Sequence, residues 1–250
     1  EEFMLLANKQ VARFIYNQKK GEDKNTFVYR THDLPDPEKV QNFALFAKQF
    51  GHKLNVDERA VSRSLNKLME EVEGKPEQGV LQSLAVRAMA KAKYTTDAKG
   101  HFGLAFDHYT HFTSPIRRYP DMMVHRLLQH YLDGGKSVNS KEYEDKCLHS
   151  SEREKRAADA ERASIKYKQV EFMASMDPQL TYDGLISGVT EWGIFIEITE
   201  TKCEGMIRLA DMDDDYYEYD EKNYCVVGRR RRKIYTLGDQ VRVKIKKTDI

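Results

Sequence analysis

Two stretches of the sequence hold residues whose types and spacing could do chemistry. In "VTEWGIFIEI", Trp192 and Phe195 stand three positions apart beside a glycine turn; Arg208 follows in "EGMIRLA", and Arg229, Arg230, Arg231 and Arg232 run consecutively in "GRRRRK". Aromatic faces stack bases, typically for ~1–3 kcal/mol each, and guanidinium groups hold phosphates, so one segment carries both components of a single-stranded nucleic-acid site. Phe195 reads equally well as core, because any small barrel needs interior aromatics, whereas Trp192 beside a turn reads as exposed. The arginine run also fits a charged sheet edge that resists aggregation. Aromatics and arginines in one segment tip the reading toward RNA. The second stretch, "HFGLAFDHYTHFTSPIRRYPDMMVHRLL" (101–128), mixes histidine, tyrosine, arginine and a Thr-Ser pair ahead of an apolar run. Pro115 and Pro120 bracket Arg117, Arg118 and Tyr119 and restrict the backbone that aims them.

The elements that must position these residues are legible as periodicities. "EEFMLLANKQVARFI" predicts a helix with Phe3, Ala7, Val11 and Phe14 on one stripe, and its uncapped start suggests further chain upstream. "DPEKVQNFALFAKQFG" places Val40, Phe43, Ala44 and Ala47 at helical spacing, behind Pro37 and ahead of Gly51. "DERAVSRSLNKLMEEVEG" repeats the pattern with Val61, Leu65 and Leu68, with Asp57 as N-cap, and "EQGVLQSLAVRAMAKAKY" predicts a third helix. "GHFGLAFDHYTHF" alternates as one or two strands or an extended loop. Pro120 opens a helix that turns Val124, Leu127, Leu128 and Tyr131 inward, and a long charged helix covers about 142–176. Pro178 then ends the helical part. "LISGV" and "GIFIEI" read as strands joined by a turn at Gly193; "EGMIRLA", "YCVVG", "RRKIY" and "GDQVRVKIKK" add more, as in a small OB-type barrel. The boundary falls near 176–181, giving an α+β chain.

Composition excludes several classes. Lys+Arg 41 against Asp+Glu 40 leaves a formal charge of +1, so global charge identifies no partner. Cys147, Cys203 and Cys225 have no CxxC spacing, which indicates neither a disulfide framework nor a zinc site and suits a reducing cytosol. No apolar run approaches the ~20 residues needed to span a bilayer. Membrane insertion is not expected, and the anticipated state is a cytoplasmic monomer.

"YDGLISGVTEWGIFIEI…CEGMIRLADM" resembles an S1 domain, the RNA-binding OB module. "EEFMLLAN", "GHFGLAFDHYTHFTSPIRRYPDMMVHR" and "AADAER", in that order ahead of it, resemble the C-terminal half of the RNase R/RNase II family of 3′-to-5′ exoribonucleases. "THFTSPIRRYPD" looks more like the RNase R branch, or its eukaryotic exosome relatives, than RNase II. The resemblance implies a mostly helical fragment of the RNB catalytic domain over 1–176 and a five-stranded OB-fold (S1) β-barrel over 177–250. The implied activity is processive hydrolysis of RNA to 5′-mononucleotides.

By the same resemblance Arg117 lies beside the scissile phosphate, with Arg118 and Tyr119 in the same wall and Tyr109 and His111 among the RNA contacts. Thr113 and Ser114 can offer hydroxyls to phosphate or 2′-OH groups. Arg118 fits equally an ion pair to Asp121. Glu1 matches the first acidic position of the family's "EE" helix near the RNA 3′ end, and Glu161 matches the "AER" helix and modulates the reaction. Either could be an ordinary surface charge. Arg208 occupies a position where S1 domains more often carry histidine. The family's catalytic Mg²⁺ is held by aspartates upstream of everything present here. The Asp211, Asp213, Asp214 and Asp215 cluster is expected to be a solvated loop, so no metal ligand is assigned. The chain is therefore expected to be an inactive fragment of such an enzyme, binding single-stranded RNA. The alternative is a catalytically dead family member that binds RNA or regulates.

Overall fold

The computed structural model describes residues 1–19, 24–57, 60–75, 77–221 and 223–249. In chain order the helices are α1 (Glu2–Gln18), α2 (Pro37–Gln49), α3 (Val61–Glu71), α4 (Gln78–Ala88), α5 (Tyr119–Leu132) and α6 (Ser140–Ala174). The strands are β1 (Tyr29–Thr31), β2 (Lys93–Thr95), β3 (Tyr182–Val189), β4 (Gly193–Ile198), β5 (Glu204–Arg208), β6 (Tyr217–Asp220), β7 (Cys225–Gly228), β8 (Ile234–Thr236) and β9 (Gln240–Val243). The fold is α+β. The chain forms two compact units, Glu1–Asp36 with Met89–Asp159, and Pro37–Ala88 with Ala160–Ile250.

The core of the first unit gathers Ala12 and Ile15 from α1, Phe27, Val28, Tyr29 and Tyr94 around β1 and β2, Met123, Val124, Leu127 and Tyr131 from α5, and Cys147 from α6. The inward face of α5 agrees with its periodicity, with Pro120 one residue inside the helix start. On α1 the expected stripe is corrected: Phe3 is 87% exposed, and the buried positions are Asn8, Ala12 and Ile15. A polar residue can lead that face because both ends of its amide are satisfied. Asn8 Nδ2 donates to Tyr109 Oη at 3.0 Å, and Asn8 Oδ1 accepts from the Phe112 amide at 3.0 Å.

The helix predicted to run to Tyr94 ends at Ala88, and the chain re-enters as β2, antiparallel to β1 with Arg30 opposite Tyr94. Tyr94 and Thr95 are buried there, so packing and ladder bonds override a weak helical pattern. The 101–113 stretch is mostly irregular rather than a strand pair, with a 3₁₀ turn at Phe102–Leu104. It is stapled to the β1 segment: the Arg30 amide donates to Tyr109 O at 2.9 Å, and Thr110 Oγ1 donates to Val28 O at 2.6 Å.

In the second unit, α2 buries Val40, Phe43, Phe46 and Ala47, α3 buries Val61, Leu65 and Leu68, and α4 buries Val80, Leu81 and Leu84. The strands after α6 form two antiparallel sheets, β5-β4-β3-β9 and β6-β7-β8. The expected α+β arrangement, a helical part followed by antiparallel strands, is present; the strands form sheets of four and three that do not close, so barrel is a loose description of them. The three-stranded sheet begins inside the acidic block, where residues 217–220 form β6 instead of continuing a loop and pair with β7 around buried Tyr217. The β3–β4 turn matches its glycine signal, since a Cβ on Gly193 would lie 2.4 Å from Ile207 O.

Candidate nucleic-acid interface

The first unit presents the "THFTSPIRRYPD" segment as a turn leading into α5. The amides of Arg117 and Arg118 donate to Ser114 O at 3.3 and 3.1 Å, which closes the turn and fixes where each arginine points. Asp121, fully buried in the first turn of α5, accepts from the Ser114 amide and from Arg118 Nη2, each at 2.8 Å. Arg118 is thus an anchoring ion pair. Arg117 is exposed, and no side-chain partner engages it among the described residues. A guanidinium held out on a pinned turn is a fixed positive charge free to meet an anion. Thr113 and Ser114 are half-buried beside it, and Tyr119 is exposed.

Behind this turn, His111 Nδ1 lies 2.8 Å from Tyr94 Oη. Burial, then the charges of Arg118, Arg30, His101 and Arg117, hold the His111 imidazole down to about 3, so the ring is neutral near pH 7. Burial also pushes the Tyr94 phenol up to about 12. Arg30 lies over the Tyr94 ring at 4.5 Å and forks onto Glu154 of α6 at 2.6 and 3.1 Å. Tyr109 is buried, with its hydroxyl on Asn8, so it supports the wall from inside rather than facing a ligand. His125 stacks on Phe112 at 4.1 Å and bonds Phe112 O, which makes it a structural residue. Glu1 is exposed at the start of α1.

Sequence reasoning missed Asn8, Arg30, Tyr94 and Glu154. Their only local signal was type, a polar residue on an apolar stripe and a tyrosine in a β-prone "KYTT". Apart from the Tyr94–His111 contact, 17 residues apart, their hydrogen-bond partners lie 57 or more residues away.

In the second unit, β4 buries Ile194, Ile196 and Ile198 and turns Phe195 to the opposite face. Antiparallel pairing sets Phe195 across from Met206, and Gly193 across from Arg208. Trp192 joins them at the turn, 72% exposed. Phe195 is half-buried on that outward face, so its ring is available there. The face offers a ring, a thioether and a guanidinium, with the exposed Trp192 at the adjoining turn, the residue types that stack bases and hold backbone.

Neighbouring acids already restrain the arginines. Arg208 forks onto Asp211 at 2.9 and 3.2 Å, and that bond holds the Asp211 carboxyl below its usual range. Arg229 pairs with Glu218 and lies over the Tyr216 ring at 4.8 Å. The amides of Arg230 and Arg231 donate to the Asp215 carboxylate at 3.0 and 2.6 Å, which lowers the Asp215 pKa and braces the turn. Arg230, Arg231 and Arg232 remain exposed. Glu161 stands exposed on α6 in the same unit.

Residues 1–134 match the RNB domain and residues 181–250 match the S1 RNA binding domain. The chain belongs to the RNB family. It is 38% identical over 255 residues to Ribonuclease R 1 of Lactococcus lactis, covering 100% of this chain and 30% of that protein. Against Ribonuclease R of Aquifex aeolicus it is 38% identical over 247 residues, 98% of this chain and 34% of the relative. The chain thus spans about a third of the length of these RNB relatives. Among solved structures, it resembles Mycoplasma genitalium RNase R in complex with ribose methylated single-stranded RNA. The TM-score is 0.86 at 27% identity, covering 99% of this chain and 39% of that one. The yeast pseudonuclease Ssd1 shares the fold at a TM-score of 0.71 and 22% identity, covering 90% of this chain and 28% of that one.

The Mg²⁺ implied by the family resemblance does not fit the side chains described. Asp211 is taken up by Arg208, Asp214 by the Tyr217 hydroxyl and Asp215 by backbone amides. Among the described residues no group of three or more His, Cys, Asp or Glu could hold an ion. Nor is any described helix long and apolar enough to cross a membrane.

Proposed function

We propose that this chain is the RNA-gripping portion of a 3′-to-5′ exoribonuclease of the Ribonuclease R type, which degrades single-stranded RNA processively to 5′-mononucleotides. The observation that carries the reading is the pairing of a free Arg117 with a locked Arg118 on one turn. One arginine builds the wall, and the other is left to face charge growing on a phosphate in the transition state.

Thr113 and Ser114 would bind phosphate or 2′-OH oxygens beside it. Glu1 would accept from a ribose hydroxyl and favour RNA over DNA. Glu161 is assigned a modulating role. Residues 177–250 would act as a second grip, stacking bases on Trp192 and Phe195 while Arg208 and the arginine turn hold the backbone. Mg²⁺, where used, would be held by residues other than those described, so the chain alone would bind RNA without cutting it. Three buried free cysteines support a reducing, cytoplasmic setting, and we place the protein there as a monomer.

The test is a pair of incubations of 3′-labelled single-stranded RNA with Mg²⁺, one with the 250-residue chain and one with the chain joined to its natural upstream sequence. The expected result is binding by both and mononucleotide release by the longer protein alone. Release by the isolated chain, surviving repurification, would overturn the division of labour. Binding without release by the longer protein would identify a pseudonuclease.

A further inference from the structure

His111 reaches the interface with a defined partner on one ring nitrogen and none on the other. Tyr94 Oη sits 2.8 Å from Nδ1. Nε2 has no protein partner among the described residues, yet it is not among the polar atoms closed off from solvent. The ring is thus held on its inner side and open on its outer one.

Which nitrogen carries the proton follows from the phenol. Tyr94 Oη has one hydrogen to place, and among the described residues its only hydrogen-bond partner is His111 Nδ1. If Nδ1–H donated to the phenol oxygen, the phenol hydrogen would lack an acceptor in a largely buried position, a costly arrangement. If the phenol donates, both groups are satisfied and the imidazole proton must sit on Nε2. Tyr94 is held in place through its ring and its backbone. Arg30 covers its ring at 4.5 Å, Glu154 grips Arg30 through two bonds, and the Tyr94 amide donates to Ser151 Oγ at 2.9 Å.

We propose that Tyr94 is a positioning residue that fixes His111 in its Nε2–H form, so that a neutral imidazole N–H is offered to a backbone oxygen of bound RNA. Its role as a neutral donor agrees with the low His111 pKa. The charged and titratable neighbours are Arg30 on β1, Tyr94 on β2, Tyr109 and His101 on its own segment, and Arg117 and Arg118 on the turn; the carboxylates of Glu154 and Asp121, which act on the Tyr94 phenol, are held by Arg30 and Arg118. The ligand half of this inference rests on the RNA reading above. The tautomer half does not.

Long-range proton–nitrogen correlation spectra of the chain labelled with ¹⁵N-histidine read the tautomer directly, with His111 assigned by its loss in His111→Gln. The expected wild-type result is a protonated Nε2 and a bare Nδ1, and in Tyr94→Phe both nitrogens should move toward the average of a tautomer mixture. Affinity for single-stranded RNA should fall three- to tenfold in Tyr94→Phe, and adding Tyr94→Phe to His111→Gln should lower it no further. A protonated Nδ1 in the wild-type chain, or an unchanged tautomer in Tyr94→Phe, would overturn the positioning role. A shifted tautomer with unchanged RNA affinity would overturn the donor role. A wild-type chain that binds no RNA would overturn the functional reading, while the spectra would still decide the role of Tyr94.

Discussion

Arg118 and Asp121 form an ion pair, Nη2 to Oδ2 at 2.8 Å, whose carboxylate is fully buried and shares the same oxygen with the Ser114 amide. Asp121→Ala would strand a largely buried guanidinium and a backbone amide together. The expected loss is roughly 3 kcal/mol of stability, the low end of the range for breaking a buried pair, because Arg118 keeps some exposure. Urea unfolding of the variant checks it. A midpoint within error of the wild type would mean that the turn is held by something else.

The S1-like face should behave as a stacking platform. Trp192 is the chain's one tryptophan, so its fluorescence reports contact directly. Single-stranded RNA should quench it, and Trp192→Ala should weaken binding by roughly 1–3 kcal/mol at every salt concentration, with little effect on stability. Unquenched fluorescence at saturating RNA would place binding on another face.

The arginine turn should act through charge, but not through all four side chains. Each phosphate contact contributes about −0.7 to the slope of log affinity against log salt. Arg229 is already engaged by Glu218 and Tyr216, so serine substitution of Arg229 to Arg232 should flatten the slope by no more than three contacts' worth. Asp215→Ala, which removes the carboxylate bracing the Arg230 and Arg231 amides, should lower affinity without removing any cation. A quadruple variant with an unchanged slope would reduce the run to a solvated edge.

Which of these features could be read from sequence depends on the distance between partners. The Pro120 helix start and the Gly193 turn are local patterns, and the structure places both accordingly. β1 and β2 are three residues each and lie 62 or more residues apart, too short to show a period and too distant to show a turn. The inward face of α1 departs from its apolar stripe because Asn8 is buried by partners about a hundred residues away. Likewise Arg30 and Glu154 meet across 124 residues, and nothing in either neighbourhood announces the other. β6 was hidden by its acidic composition, although Tyr217 supplies the buried residue a strand needs.

Acid should destabilise the first unit before its carboxylates titrate. Burial, chiefly, lowers His111 to about 3 and His101 to about 4 in the folded chain. The unfolded chain, near 6.5 for each, therefore binds more protons between those values and 6.5. Stability is fully present above pH 6.5 and is lost as pH falls toward 4, by at most about 1.4 kcal/mol per pH unit for each histidine. Thermal melts from pH 7.5 to 4.5 should show the decline, and His111→Gln should reduce it. A flat profile for the wild type would mean that these rings titrate normally.

The most direct test of the whole account is Arg117→Ala in the protein that carries this chain with its upstream sequence, measured by single-turnover degradation of single-stranded RNA alongside equilibrium binding. Because Arg117 is free and exposed while Arg118 is bound to Asp121, the account predicts a fall in turnover of ~10²-fold or more with a much smaller change in affinity, and poor rescue by Arg117→Lys, which lacks the planar fork. Normal turnover with weakened binding would contradict it and make Arg117 one more positioning contact.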